Sequence, residues 1–253
     1  MLDSVLTLIE EAEEEEVCQR LVLLLDNGFD VSSADSFGTT PLHSACRCHR
    51  SQVAELLISK GANLFDSDRD RVNAMYLAAN GGYSDIVELL LRSGFDSSVA
   101  LNTRCIEGCT AFYAACHQSH LEVAGLLFRS GADPNIADDE GNTPLMSAIV
   151  GGREEVVEFL VGIRVDASLA NLSSVTAVDM AYLTGRKSLI HLFIGCSGGK
   201  PLPNSQYQVC MNKTCSNANH LEECEGCTSV FYCSPDCKRS DLDCHRRHCP
   251  RLP

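Results

Sequence analysis

Apolar and polar positions along this chain recur with a long period. The pairs Leu56-Leu57, Leu89-Leu90, Leu126-Leu127 and Phe159-Leu160 stand at matching places in successive segments. So do Thr40-Pro41-Leu42-His43, Asn73-Ala74-Met75-Tyr76, Thr110-Ala111-Phe112-Tyr113, Thr143-Pro144-Leu145-Met146 and Thr176-Ala177-Val178-Asp179, whose starts differ by 33, 37, 33 and 33 residues. Gly28, Gly61, Gly94 and Gly131 form a third marker, each followed by Phe or Ala and then Asp or Asn. Together the markers predict two helices per segment. A Thr offers the N-cap and the Pro after it needs no amide donor at a helix start. A Gly after the second helix takes the left-handed C-cap conformation. The leucine pairs seal one segment against the next, because a lone segment cannot bury its apolar face. At the N-terminus Leu2, Val5, Leu6 and Ile9 follow helical spacing, and Thr7-Leu8-Ile9-Glu10 lies 33 residues before Thr40, so residues 2–25 are expected to form a first, capping segment.

With these markers the chain resembles the ankyrin repeat, a unit of about 33 residues with two antiparallel helices and a hairpin loop. The resemblance covers roughly residues 2–196. Repeats two to five fall at about 36–68, 69–102, 104–138 and 139–172, and a last half-repeat at 173–196 keeps Val178, Met180, Ala181, Leu183 and Ile190 apolar. Three places depart from the pattern. Arg71 stands where the hairpin Gly is usual, Arg164 stands at a C-cap Gly position, and four extra residues lie in the stretch 97–108. The insertion is expected to lengthen the hairpin loop. The resemblance implies a protein-binding concave side built from hairpin tips and inner helices. Asp35, Asp66, Asp68, Asp70, Asp138, Asp139 and Glu140 at the tips lead us to expect a partner with basic side chains. The run Glu10, Glu11 and Glu13 to Glu16 reads as the solvated end of the first cap.

Periodicity stops before a Gly-, Pro- and Ser-rich linker, residues 197–209. Beyond it Cys210, Cys215, Cys224, Cys227, Cys233, Cys237, His245 and Cys249 fall within forty residues. Thiolate and imidazole donors in fours at short paired spacings suit two tetrahedral zinc ions. Residues 234–249 are expected to be helical, which puts His245 and Cys249 on one face at i,i+4, and Cys244 with His248 is an alternative pair of the same geometry. An odd total of fifteen cysteines argues against a disulfide framework, and a RING-type finger would place its histidine mid-motif. The segment resembles a MYND-type zinc finger, in which ligands interleave. Carried over, Cys210, Cys215, Cys233 and Cys237 would hold one zinc, and Cys224, Cys227, His245 and Cys249 the other. The same resemblance implies a groove for proline-rich peptides. However, the family's Gln and Trp beside that groove are Lys238 and Leu242 here. Four protein ligands close the shell of each ion, so the expected zinc is structural.

Composition narrows the function. Residues 1–199 carry 13 basic and 28 acidic side chains and residues 200–253 carry 7 and 6, within a net charge of −14. Nucleic-acid binding is therefore not expected, since phosphate contacts need a basic surface. The N-terminus lacks a signal-peptide pattern, and the longest aliphatic run, Leu21–Leu25, is far too short to span a bilayer. Unpaired cysteines point to a reducing compartment, cytoplasm or nucleus. Cys46 and Cys116 sit at the small inner-helix position of Ala79 and read as core fillers. Cys105 and Cys109 lie in the expanded loop but lack two further metal ligands. His43 fits a hydrogen-bonding place in its motif, and no catalytic constellation is visible.

The expectation is thus a mainly α protein: an ankyrin-repeat solenoid over 1–196, a linker, and a small zinc-stabilised MYND finger over 210–249. It would be a monomeric, non-catalytic adaptor for other proteins. The alternative is a transcriptional or chromatin co-regulator acting through the finger. MYND fingers also occur inside some lysine methyltransferases, but repeats and linker leave no room here for a catalytic domain.

Overall fold

The computed structural model of the protein describes residues 2–186 and 189, and the backbone of 222–223 and 231–232. The chain divides into two compact units, residues 1–139 and 140–253. In the first unit the helices are α1 (Leu2–Glu11), α2 (Glu14–Asp26), α3 (Pro41–Arg47), α4 (Ser51–Ser59), α5 (Ala74–Gly81), α6 (Ser84–Arg92), α7 (Ser98–Leu101), α8 (Ala111–Gln118) and α9 (Leu121–Arg129). They pack as an inner row α1, α3, α5, α8 and an outer row α2, α4, α6, α9. In the second unit α10 (Pro144–Gly151) packs on α11 (Glu154–Gly162) and α12 (Ala177–Leu183). Further along, β1 (Glu222–Glu223) runs antiparallel to β2 (Phe231–Tyr232), with Glu222 opposite Tyr232.

The helix starts follow the sequence markers. Thr40, Asn73, Thr110 and Thr143 each accept a hydrogen bond from the backbone N–H three residues on, at 3.4, 2.8, 3.1 and 3.4 Å. Each such cap contributes about 1 kcal/mol. Of each outer-helix pair the second residue goes fully inside: Leu57, Leu90, Leu127 and Leu160 are buried, whereas Leu56, Leu89, Leu126 and Phe159 are half-buried. Leu42, Met75 and Phe112 fill the inner row beside them.

Helix ends are closed by the neighbouring repeat. The last carbonyls of a helix have no partner within it. Arg50, directly before α4, donates to the carbonyls of Ile9 and Ala12 at the end of α1, at 3.2 and 2.8 Å. At the same place before α6, the Tyr83 hydroxyl reaches the Arg47 carbonyl at 3.5 Å, and before α9 the His120 Nε2 lies 3.1 Å from the Asn80 carbonyl. The hairpin tips are joined too: the Arg69 amide donates to Phe37 and the Asp139 amide to Glu107, both at 2.9 Å. In the second unit the Leu172 amide donates to Glu140 at 3.0 Å.

Backbone φ values repeat the sequence period more faithfully than residue types do. Left-handed conformations occur at 38, 71, 108, 141 and 174 in the hairpins, at 49, 82, 119, 152 and 185 after inner helices, and at 28, 61, 94, 131 and 164 after outer helices. Arg71 (φ 62°) and Arg164 (φ 61°) thus hold the glycine conformation without being glycine. Glycine at position 38 is demanded by a second constraint, because a Cβ there would lie 3.0 Å from the Asp68 Cα as the next tip passes over. The corresponding tip-to-tip bond between Asp70 and Ile106 is absent among the described residues, so position 71 escapes that crowding.

Three expectations need correction. Thr7 is not a cap: it lies inside α1, its hydroxyl bonded to the Asp3 carbonyl, because α1 begins about six residues, and α2 about four, ahead of the places the later repeats set. The acidic run is more than a solvated end. Glu10 pairs with Arg47, and the Glu14 carboxylate accepts the Gln52 amide at 2.8 Å, capping α4 where Arg50 offers no cap. The four extra residues do not lengthen a hairpin tip. They form α7, capped by Ser97 and buried through Ala100 and Leu101, before a tip of ordinary span.

These constraints predict opposite signs at matching positions. A non-Gly residue in the left-handed region costs roughly 1–2 kcal/mol. Arg71→Gly is therefore expected to raise the urea midpoint of the full chain, with a gain of about 1 kcal/mol after the entropic cost of glycine, whereas Gly38→Ala should lower it. Equal effects at the two positions would show that the passing tip imposes no constraint.

Candidate interaction surface and metal-binding finger

The third residue of α3 and of α8 reaches the next hairpin. His43 shows how. Its Nδ1 accepts the Thr40 amide at 3.0 Å, which leaves Nε2–H to donate to the Asp66 carbonyl at 3.0 Å. Burial pushes the His43 pKa below the ordinary histidine value, although the Asp66 carbonyl and nearby carboxylates pull the other way. The imidazole is thus a neutral strut, the hydrogen-bonding role its motif suggested. Tyr113 occupies the same place in the fourth repeat and donates to the Asp138 carboxylate at 2.8 Å. Tyr76, the counterpart in the third, is half-buried, and its phenol is pushed up to about 12, first by burial.

The tip carboxylates divide by task. Asp35 accepts the amides of Phe37 and Thr39, both at 2.8 Å, and Asp68 accepts those of Asp70 and Val72 at 2.9 and 2.8 Å. These two fold their own loops. The Asp35 carboxyl lies below the usual carboxylate range because the amide and hydroxyl bonds outweigh the opposing effect of burial. Asp139 pairs with Arg104 at 2.8 Å. Asp70, Glu107 and Asp139 are exposed at the tips, but Arg69, Arg71 and Arg104 are exposed there as well. Phe37 adds an apolar contact, 65% exposed. The surface is therefore mixed in charge, less uniformly acidic than the aspartates alone suggested.

Cys46 and Cys116 are fully buried in the inner row, as expected of core fillers, and burial pushes the Cys46 thiol up to about 12. Cys105 and Cys109 are also buried, their thiols raised to about 11 and about 12, chiefly by burial. No group of three or more potential metal ligands occurs among the described residues. One cluster had escaped notice. The His49 ring stacks flat on Tyr83 at 4.1 Å, and its Nε2 lies 2.9 Å from the Asp85 carboxylate. The only signal was positional: His49 stands 33 residues before Gly82, at a left-handed site.

All eight proposed zinc ligands, Cys210, Cys215, Cys224, Cys227, Cys233, Cys237, His245 and Cys249, lie outside the described residues. So do the linker 197–209, the helix expected over 234–249, the alternative pair Cys244 and His248, and the groove positions Lys238 and Leu242. The β1–β2 pair falls inside the cysteine-rich stretch, and Cys224 and Cys233 directly follow the two strands in sequence. The donor set there, thiolates with an imidazole, is one that zinc favours over harder cations.

Stacked helix pairs with capped starts, joined tips and polar side chains exposed at those tips define a helical-repeat interaction module. The chain belongs to the ankyrin-repeat family: the family's three-copy profile matches residues 8–100 and 94–169, and a MYND finger, a family that binds zinc, matches residues 208–249. Similar curated proteins share the repeats. The human transient receptor potential cation channel subfamily A member 1 is 36% identical over 74 residues, 29% of this chain and 6% of that protein. The human NAD-capped RNA hydrolase NUDT12 is 34% identical over 91 residues, 36% of this chain and 17% of that protein. The Caenorhabditis elegans ankyrin repeat and KH domain-containing protein mask-1 is 30% identical over 141 residues, 55% of this chain and 5% of that protein. This chain thus spans less than a fifth of these relatives' lengths. Both matched families are protein-interaction domains, and no helix among the described residues is long and apolar enough to cross a membrane.

The neutral state of His43 has a pH signature. The unfolded chain protonates this side chain below about pH 6.5, whereas the folded chain resists until its depressed pKa is reached. The unfolded state then binds more protons, so the His43 contribution is complete above that pH and declines as the pH falls. Comparing thermal midpoints at pH 7.5 and 5.5, the native chain should lose more stability than His43→Gln. Parallel profiles would contradict the neutral strut.

Proposed function

We propose that this protein is a non-catalytic adaptor that brings partners together through two surfaces, the ankyrin stack and the finger. The observation that carries the reading is the pairing of two interaction-domain families over residues 8–169 and 208–249. Neither the RNA hydrolysis nor the channel activity named in its relatives is carried over, because the similarity covers small shares of those proteins. In this proposal the repeats extend over 1–196 and the finger over 210–249. Partners are proteins that approach the tips with basic side chains toward Asp70, Glu107 and Asp139, and the chain acts as a monomer in the cytoplasm or nucleus. A co-regulator role rests on the MYND match alone, since such fingers often dock regulatory proteins.

The finger in this reading holds two zinc ions. Cys210, Cys215, Cys233 and Cys237 hold one; Cys224, Cys227, His245 and Cys249 hold the other. Zinc supplies folding free energy to a segment too short for a sizeable core. The cysteine side chains bind as thiolates and give up their protons on loading. Closed shells leave no position for a substrate.

Elemental analysis of the purified chain should return two zinc ions per molecule. Chelation should leave the helical circular-dichroism signal of the repeats largely intact and abolish binding of finger partners alone. A content other than two, or collapse of the helical signal with the metal, would contradict the assignment. For the stack, affinity capture with the full chain and with a Glu107→Lys, Asp70→Lys double variant should lose one set of partners while a Cys233→Ser variant loses another. Identical partner sets for all three proteins would overturn the two-surface reading.

A further inference from the structure

The hairpin tip of the fourth repeat differs from those of the second and third at two facing positions. In the second repeat those positions are Asp35 and Thr39. The Asp35 amide donates to the Thr39 carbonyl at 3.1 Å, and the Asp35 carboxylate accepts the Thr39 amide at 2.8 Å. In the third they are Asp68 and Val72, joined in the same way at 3.0 Å. In the fourth they are Cys105 and Cys109. The Cys105 amide donates to the Cys109 carbonyl at 2.8 Å, and the Gly108 amide returns to the Cys105 carbonyl at 3.0 Å.

The same main-chain turn therefore carries two thiols at its facing positions. Both are buried, with 1% and 8% exposure, and both lie within electrostatic reach of the Tyr76 phenol. The single main-chain bond from the Cys105 amide to the Cys109 carbonyl holds their Cα atoms no more than about 6.7 Å apart, inside the Cα span that a disulfide bridges. At rest the two Sγ atoms turn to the Thr103 and Glu107 carbonyls, at 3.8 and 4.0 Å. Metal binding does not account for the pair, because no third ligand joins it among the described residues.

We propose that Cys105 and Cys109 are a dithiol that closes reversibly into a disulfide across the hairpin tip of the fourth repeat. The oxidant is a small-molecule disulfide such as glutathione disulfide. Cys109, the more exposed of the two, loses its proton to solvent and attacks a sulfur of the oxidant, expelling one thiolate. The Cys105 thiolate then attacks Cys109 in the mixed disulfide and expels the second. Two electrons pass to the oxidant, which leaves as two thiols, and the protein gains one S–S bond. Burial keeps both groups as thiols at rest, so exchange awaits opening of the tip, and the bond acts as a slow lock. The lock would fix Glu107, which holds a left-handed conformation (φ 53°) between the cysteines and accepts the Asp139 amide of the next tip.

The test uses the full zinc-loaded chain and needs no partner, so it stands apart from the adaptor reading. The protein is incubated with excess glutathione disulfide, alkylated, digested with trypsin and analysed by mass spectrometry. The peptide from Cys105 to Arg129 contains Cys105, Cys109 and Cys116. It is expected to be lighter by two hydrogens, to carry one alkyl group on Cys116, and to recover all three after dithiothreitol. Cys109→Ser should lose the link without forming one to Cys116. Full alkylation after oxidation, a glutathione adduct without the internal bond, or a link to Cys116 would each overturn the proposal.

Discussion

The carbonyls that end one inner helix are satisfied by a side chain that belongs to the next repeat. Arg50 serves α1, Tyr83 serves α3 and His120 serves α5, each from the residue directly before an outer helix. Three different chemistries at one position make the same bond, so geometry is what the repeat maintains. Tips repeat the arrangement, with the Arg69, Asp139 and Leu172 amides each donating to a carbonyl of the preceding tip. A single helix pair would leave these groups in water and its apolar face uncovered, which is why stability in such an array is largely a sum over interfaces.

Most of this order was legible in the sequence, because a glycine in the left-handed region and a threonine cap leave residue-type signatures. The stretches where reading failed are those where another residue meets the same need. Arg71, His49, Ser119, Arg164 and Ser174 adopt left-handed backbone without glycine, held by the elements around them. Thr7 fell at the expected spacing yet lies mid-helix, since the first repeat has no predecessor to fix where its inner helix begins. The extra residues before Cys105 became α7 because Ala100 and Leu101 find a buried place and Ser97 supplies a cap.

The surface was harder to read than the core. An aspartate that displays charge and one that folds a loop look alike in sequence. Asp35 and Asp68 turn inward to backbone amides, Asp139 meets Arg104, and Asp70 remains exposed. Charge counts for the stack therefore overstate the acidity a partner meets at the tips. The finger was legible for the opposite reason: cysteine and histidine at fixed spacings have few uses other than a metal. Its family match rests on that spacing, whereas the pairing of ligands depends on a fold that spacing does not encode.

The claim that neighbouring repeats complete one another is tested most directly by native-state amide hydrogen exchange on the full chain. The account predicts strong protection of the Arg69 and Asp139 amides, whose acceptors lie in the preceding tips, and fast exchange at Ile106, where that bond is missing. Protection at Ile106 equal to that at Arg69 and Asp139, or unprotected amides at all three, would contradict it.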